Sequence, residues 1–230
     1  MSGFEFNEFA DKRALATVLA DYVGDVLTQA ILKNGRASLV VSGGRTPMQF
    51  FEALSCLELK WNEVTVLLAD ERWVPETHAR SNTAFVRENL IKGSAARAHF
   101  LPFYSEGISV EEGATQLSHQ LEKISLDMVV LGMGEDGHTA SLFPDAPAIA
   151  QALAKDAPSV LVARPTSQPE ARITLSVQKL KSAAHIALHI EGQLKRDVLE
   201  QAALDGAAHE MPIRPFLQND KNPLQVFWCP

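Results

Sequence analysis

Between Gly132 and Pro144 the chain reads Gly-Met-Gly-Glu-Asp-Gly-His-Thr-Ala-Ser-Leu-Phe-Pro, directly after the apolar run Asp127–Leu131. A carboxylate, Asp136, and an imidazole, His138, thus stand one flexible residue apart on a glycine-rich turn at a strand end. An imidazole titrates near neutrality and can take a proton from water, while a carboxylate beside it can fix its tautomer and stabilise the imidazolium. The structural alternative for His138 is a side chain that bonds within its own loop or caps the next helix. The same stretch spells G-x-G-x-x-G through Gly132, Gly134 and Gly137, the pattern of a dinucleotide-binding turn. That reading needs a helix opening inside the motif and an acidic residue about twenty positions on. Pro144 comes too soon for a crossover helix, and the strand-like Ser159–Ala163 ends in Arg164-Pro165, so nicotinamide binding is disfavoured.

Two further segments carry chemistry at strand exits. Ser42-Gly43-Gly44-Arg45-Thr46-Pro47 leaves one apolar run through two glycines, whose freedom at positive φ lets successive backbone N–H groups turn inward as an anion nest. A helix starting near Thr46-Pro47 adds its dipole; phosphate is the natural guest, and a plain strand-to-helix turn capped by Thr46 is the alternative. No P-loop lysine follows, which disfavours nucleoside triphosphates. Asp70-Glu-Arg-Trp-Val-Pro75 puts three charges after the apolar Val64–Ala69. Arg72 can grip a phosphate with its planar fork and Asp70 can accept from sugar hydroxyls, whereas Glu71 reads better as an internal ion pair or helix cap. Lys195 and Arg172 stand at a helix start and a strand start respectively, where each is either an anion-binding cation or an ordinary structural one. His185 and His189 alternate with Ile186, Leu188 and Ile190 along a strand and read as structural; no H-x-x-H or H-E-x-x-H pair exists, and no metal or cofactor is expected.

These segments need a frame. Leu15, Val18, Leu19, Tyr22, Val23, Val26, Leu27, Ala30 and Ile31 recur at helical spacing and stop at Asn34-Gly35. Afterwards short apolar runs alternate with helical stretches: Ala37–Val41, then a helix to about Leu57; Val64–Ala69, then helical Asn82–Leu90; Asp127–Leu131; Ser159–Ala163; Arg172–Val177; His185–Ile190, then helical Gly192–Leu204; and Gln225–Trp228. This order predicts an α/β fold with a doubly wound, mainly parallel sheet and helices on both faces. In such sheets ligands bind beyond the carboxyl ends of the strands, where all three loaded segments fall.

With 230 residues, 46% of them hydrophobic, the chain suits one domain spanning residues 1–230. A net charge of −7 disfavours nucleic acid and anionic membranes as partners, because both require a basic face. No run of eighteen consecutive apolar residues occurs, and the acidic Met1–Phe9 lacks the features of a signal peptide. Cys56 and Cys229 have no disulfide-framework or zinc spacing, so a cytoplasmic protein with reduced thiols is expected; the oligomeric state is open.

Taken together, S-G-G-R-T-P, D-E-R-W-V-P, G-M-G-E-D-G-H-T-A-S-L-F-P, P-E-A-R-I-T-L-S and G-x-x-K, in that order from about Ala37 to Leu199, closely resemble the 6-phosphogluconolactonase family, a relative of the glucosamine-6-phosphate isomerases/deaminases. The resemblance implies hydrolysis of 6-phospho-D-glucono-1,5-lactone to 6-phosphogluconate, in the oxidative pentose phosphate pathway, without metal or organic cofactor. It implies that His138 transfers the proton with Asp136 as partner, and that Ser42, Gly43, Gly44, Arg45 and Thr46, together with Arg72 and Lys195, hold the phosphate, with Arg172 contributing. Asp70 and Gly134 complete the expected substrate-binding set. Two alternatives remain: an amino-sugar-phosphate isomerase/deaminase and a non-catalytic sugar-phosphate-binding regulator. The deaminase relatives place a glutamate five residues past the histidine, where this chain has Phe143, and an apolar ring cannot relay protons. Keeping both Asp136 and His138 argues against the regulator.

Overall fold

The computed structural model describes residues 3–218 and 222–230, so Met1 and Ser2 of the acidic N-terminal stretch lie outside the described residues. In chain order the elements are β1 (Phe4–Glu8), α1 (Lys12–Asn34), β2 (Ala37–Val41), α2 (Met48–Ser55), β3 (Val64–Leu68), β4 (Asp70–Arg72), α3 (Asn82–Asn89), β5 (His99–Phe100), α4 (Val110–Leu121), β6 (Met128–Leu131), α5 (Ile149–Leu153), β7 (Val160–Ala163), β8 (Arg172–Leu175), α6 (Val177–Lys181), β9 (His185–Glu191), α7 (Gln193–Ala203), α8 (Arg214–Leu217) and β10 (Leu224–Cys229).

Seven strands form a parallel sheet in the order β1-β10-β9-β6-β2-β3-β5. Every residue of β2 and β6 is buried, which explains why these runs are almost continuously apolar rather than alternating; the one polar side chain, Ser38, is hydrogen-bonded to the Ser125 carbonyl. The chain builds outward from β2 through β3 and β5, then returns to the other side of β2 with β6. The order of strand addition therefore reverses between the parallel neighbours β2 and β6, and beyond their carboxyl ends lies the crevice where such folds take ligands. The α/β expectation holds.

The long first helix is cut by local chemistry. Asp11 accepts from the Ala14 amide at 2.8 Å to open α1, and Gly35, at φ 72°, ends it in the left-handed conformation that glycine adopts without a Cβ penalty. By length and composition α1 could cross a membrane, but Leu15, Leu19, Val23 and Leu27 are wholly buried in the core formed with the sheet.

Beyond elements the expected order did not contain, such as α4, β5, α5 and α8, three features change how the chain is arranged. The acidic Phe4–Glu8 is a strand, paired in parallel with β10 at the sheet edge. Asp70–Arg72 is a strand rather than a polar turn: after Ala69 the chain leaves the main sheet and β4 pairs antiparallel with β8, which pairs antiparallel with β7. The runs expected at Ser159–Ala163 and Arg172–Val177 therefore build a separate three-stranded sheet, and Ser176 caps α6 instead of extending the strand. The physical reason is charge. Asp70, Glu71 and Arg172 need polar partners that the interior of the seven-stranded sheet does not offer, and the small sheet supplies them.

Candidate active site

Ser42 ties the two loops of the crevice together. Its amide donates to the Val130 carbonyl at 3.2 Å, and its hydroxyl bridges that carbonyl and the Gly132 amide at 3.4 Å each. The next amides, of Gly43, Gly44, Arg45 and Thr46, donate to no acceptor among the described residues, and Gly44 has φ 95°. A Cβ on Gly43 would lie 2.0 Å from Asn82 Oδ1, so only glycine lets the turn pass this close to α3. The helix starts later than expected: Pro47 occupies the N-cap position of α2 with no side-chain cap, so Thr46 neither caps nor belongs to the helix. Ser42, Gly43, Gly44 and Thr46 line a cavity of about 220 Å³; Arg45 is exposed and lies outside that lining.

On the turn after β6, His138 Nδ1 lies 2.5 Å from Asp136 Oδ1, and the His138 amide donates to the same oxygen at 3.0 Å. Burial works against ionisation of Asp136, but the hydrogen bond and charge of His138 outweigh it and hold the carboxyl below its ordinary value. An ionised carboxylate can only accept, so Nδ1 carries the proton, and in the neutral form of the ring Nε2 presents a lone pair. Asp136 stands behind the imidazole and outside the cavity lining, whereas His138 and Gly134 line the cavity. Gly134 makes the pair possible, because a Cβ there would fall 2.1 Å from His138 Nδ1 and 2.6 Å from Asp136 Oδ1. Gly137, at φ 75°, turns the chain between the two side chains.

Three cations border the same cavity: Arg72, Arg172 and Lys195. Lys195, in the first turn of α7, has no hydrogen-bond or ion-pair partner among the described residues, and burial lowers its pKa although Glu135 and Asp136 oppose the shift. Arg72 donates to the Arg80 carbonyl at 2.5 Å, but its Nε is buried without a partner, as is that of Arg172. Burial, reinforced by the charges of Arg72 and Arg80, also pushes the Arg172 guanidinium down, against the pull of Asp70 and Glu170. Cations that crowd one another with unused donors favour an anion between them. Asp70, expected to meet sugar hydroxyls, lines the cavity but is engaged internally: it accepts from Ser141 Oγ at 2.5 Å, lies 3.5 Å from Asn82 Nδ2, and has Arg172 Nη1 at 3.8 Å. Glu71 caps α3, accepting the Asn82 and Thr83 amides at 2.8 and 2.7 Å.

Two lining residues, Asn82 and Ala140, had no sequence signal. Ala140 adopts φ 51°, a strained value for a residue with a Cβ. Phe143 stacks on His138 with ring centroids 4.0 Å apart, while the Arg172 guanidinium lies 5.0 Å from the Phe143 centroid. His189, which alternation along its strand marks as structural, also lines the cavity, together with Glu191. No group of three or more His, Cys, Asp or Glu side chains suited to a metal ion occurs among the described residues.

Residues 10–228 match the family model described as glucosamine-6-phosphate isomerases/6-phosphogluconolactonase. The chain is 45% identical over 225 residues to a 6-phosphogluconolactonase of Rhizobium meliloti, covering 96% of this chain and 97% of the relative. It is 42% identical over 232 residues to a 6-phosphogluconolactonase of Mesorhizobium japonicum, covering 100% of this chain and 97% of the relative. Among solved structures, a 6-phosphogluconolactonase from Shewanella baltica superposes with a TM-score of 0.95 at 38% identity, covering 99% of this chain and 98% of that one.

Proposed function

The chain belongs to the glucosamine-6-phosphate isomerase/6-phosphogluconolactonase family, and we propose that it hydrolyses 6-phospho-D-glucono-1,5-lactone by histidine-assisted attack of water. The observation that carries the mechanism is the Asp136–His138 pair, whose geometry leaves Nε2 as the free basic atom on a cavity bordered by three cations.

A lactone carbonyl is already electrophilic, so no covalent nucleophile is needed and a positioned base suffices. Nε2 takes a proton from water, and the water oxygen bonds to C1 as the carbonyl π pair moves onto oxygen. Asp136 stabilises the imidazolium through Nδ1. Collapse of the tetrahedral intermediate breaks the bond from C1 to the ring oxygen, and the imidazolium returns its proton there, leaving 6-phosphogluconate. The free amides of Gly43–Thr46 with Arg72, Arg172 and Lys195 hold the phosphate, which places C1 against the base. Remote binding thereby contributes to rate through orientation.

Amino-sugar isomerisation is disfavoured because the face of the imidazole is covered by the Phe143 ring, where a relay would need a carboxylate. The test is His138→Ala in a coupled assay that follows freshly generated lactone with spontaneous hydrolysis subtracted. Catalysed turnover is lost while inorganic phosphate still binds; catalysis at the wild-type rate would overturn the assignment of His138.

A further inference from the structure

His189 is 3% exposed, borders the cavity, and has neither ring nitrogen hydrogen-bonded among the described residues. Leu188 pairs with Leu131 across the sheet, so His189 stands one strand over from Gly132, where the catalytic turn begins. Phe50 meets its ring edge-on at a centroid distance of 6.2 Å, a contact that satisfies neither ring nitrogen. An unpaired buried polar group is costly and rare in native proteins, so a partner from outside the chain is called for. Two residues on, on the same face of β9, Glu191 also borders the cavity. One of its oxygens pairs with Lys12 Nζ at 2.8 Å; the other stands 3.4 Å from His189 Nε2, without hydrogen-bond geometry. Burial opposes the charge of Glu191, but His189 and Lys12 prevail and keep its carboxyl below the ordinary value.

An imidazole N–H beside a carboxylate oxygen offers one donor and one acceptor. A hydroxyl satisfies both at once, accepting from the first and donating to the second. A phosphate does not, since it would meet the negative charge of Glu191. We propose that His189 and Glu191 together grip a hydroxyl of the sugar's carbon chain, one that the lactone and 6-phosphogluconate share, so that the polyol is read here and the phosphate by the cations and loop amides. The inference rests on the lactonase reading and goes beyond it by naming the groups that distinguish a sugar phosphate from phosphate alone. A site built to bond a hydroxyl also discriminates strongly against analogues that lack it.

The test titrates the wild type, His189→Phe and Glu191→Gln with 6-phosphogluconate and, separately, with inorganic phosphate, by calorimetry. Both variants are expected to bind 6-phosphogluconate about tenfold or more weakly, equivalent to about 1.4 kcal/mol, with phosphate affinity unchanged. Wild-type affinity for 6-phosphogluconate in both variants would overturn the proposal. So would an equal loss for both ligands, because the pair would then serve the phosphate site or the fold. A measurement independent of variant folding is the imidazole ¹⁵N spectrum of the wild type: the His189 signals should move with 6-phosphogluconate and stay with phosphate, and their failure to move with the sugar phosphate would also refute the grip. Wild-type protein that binds 6-phosphogluconate but does not turn over the lactone would count against the function and not against this site.

Discussion

Gly134→Ala adds one methyl group where the Asp136–His138 pair has no room for it. The new Cβ would stand 2.1 Å from His138 Nδ1 and 2.6 Å from Asp136 Oδ1, well inside van der Waals contact. One or both side chains must retreat by about 1 Å, and a misplacement of that size can cost about 10²-fold in rate. The backbone has less to object to. Gly134 is not among the positive-φ residues, and its amide bond to the His138 carbonyl at 2.8 Å needs no particular side chain. The substitution thus separates orientation of the base from folding of the loop. We expect kcat for lactone hydrolysis to fall about 10²-fold, while inorganic phosphate still binds and thermal stability changes by no more than about 1 kcal/mol. The assay is initial-rate lactone consumption with the spontaneous reaction subtracted, paired with a melting curve. A Gly134→Ala enzyme with wild-type kcat would refute the claim that the Asp136–His138 contact orients the base.

In the proposed site the guanidinium serves ground-state binding of the phosphate, so Arg72→Ala should raise KM more than it lowers kcat; an unaltered KM in steady-state kinetics would remove Arg72 from that site. The carboxyl of Asp136 is held below its ordinary value of 3.8, so it adds stability above that pH, and this is lost as pH falls through the folded-state value. Melting temperatures of wild type and Asp136→Asn should accordingly differ near neutrality and converge in acid, and a gap independent of pH would contradict the linkage. Glu71→Ala leaves the buried Asn82 and Thr83 amides without their acceptors and should destabilise the fold by about 1–3 kcal/mol in urea denaturation; a variant as stable as wild type would show that the cap is dispensable.

The three strand exits were legible because each places glycine or charge directly after a buried apolar run, and apolar continuity is a local property. Glu71 was read as a helix cap or internal ion pair, and the structure makes it a capping carboxylate that accepts the first two amides of α3 beside the N-cap Ser81. The start of α2 was misread because Pro47 is equally compatible with the N-cap and the first helical position, and the choice depends on hydrogen bonds the sequence does not show. The second sheet was invisible for a related reason. Arg172–Leu175 has the composition of a buried strand, and what separates it from the main sheet is its antiparallel partner β4, far away in the chain. His189 was set aside on the same local evidence, since alternation along a strand reports which face a residue shares and not whether that face borders a cavity.

The sequence by itself determined the inventory: an imidazole two positions from a carboxylate, glycines that free backbone amides, cations at strand ends, and a phenylalanine where a related chemistry requires an acid. These are near neighbours or apolar patterns, and their physics is short-ranged. Only the tertiary structure decided what each group meets. Asp70 spends its carboxylate on Ser141, 71 residues away, rather than presenting it freely to a sugar. Phe143 covers the His138 imidazole, Arg45 lies outside the lining of the cavity its neighbours border, and His189 enters that cavity with no hydrogen bond to either ring nitrogen. Such pairings follow from the reversal of strand order between β2 and β6, which gathers distant segments at one crevice, and no local spacing encodes that reversal.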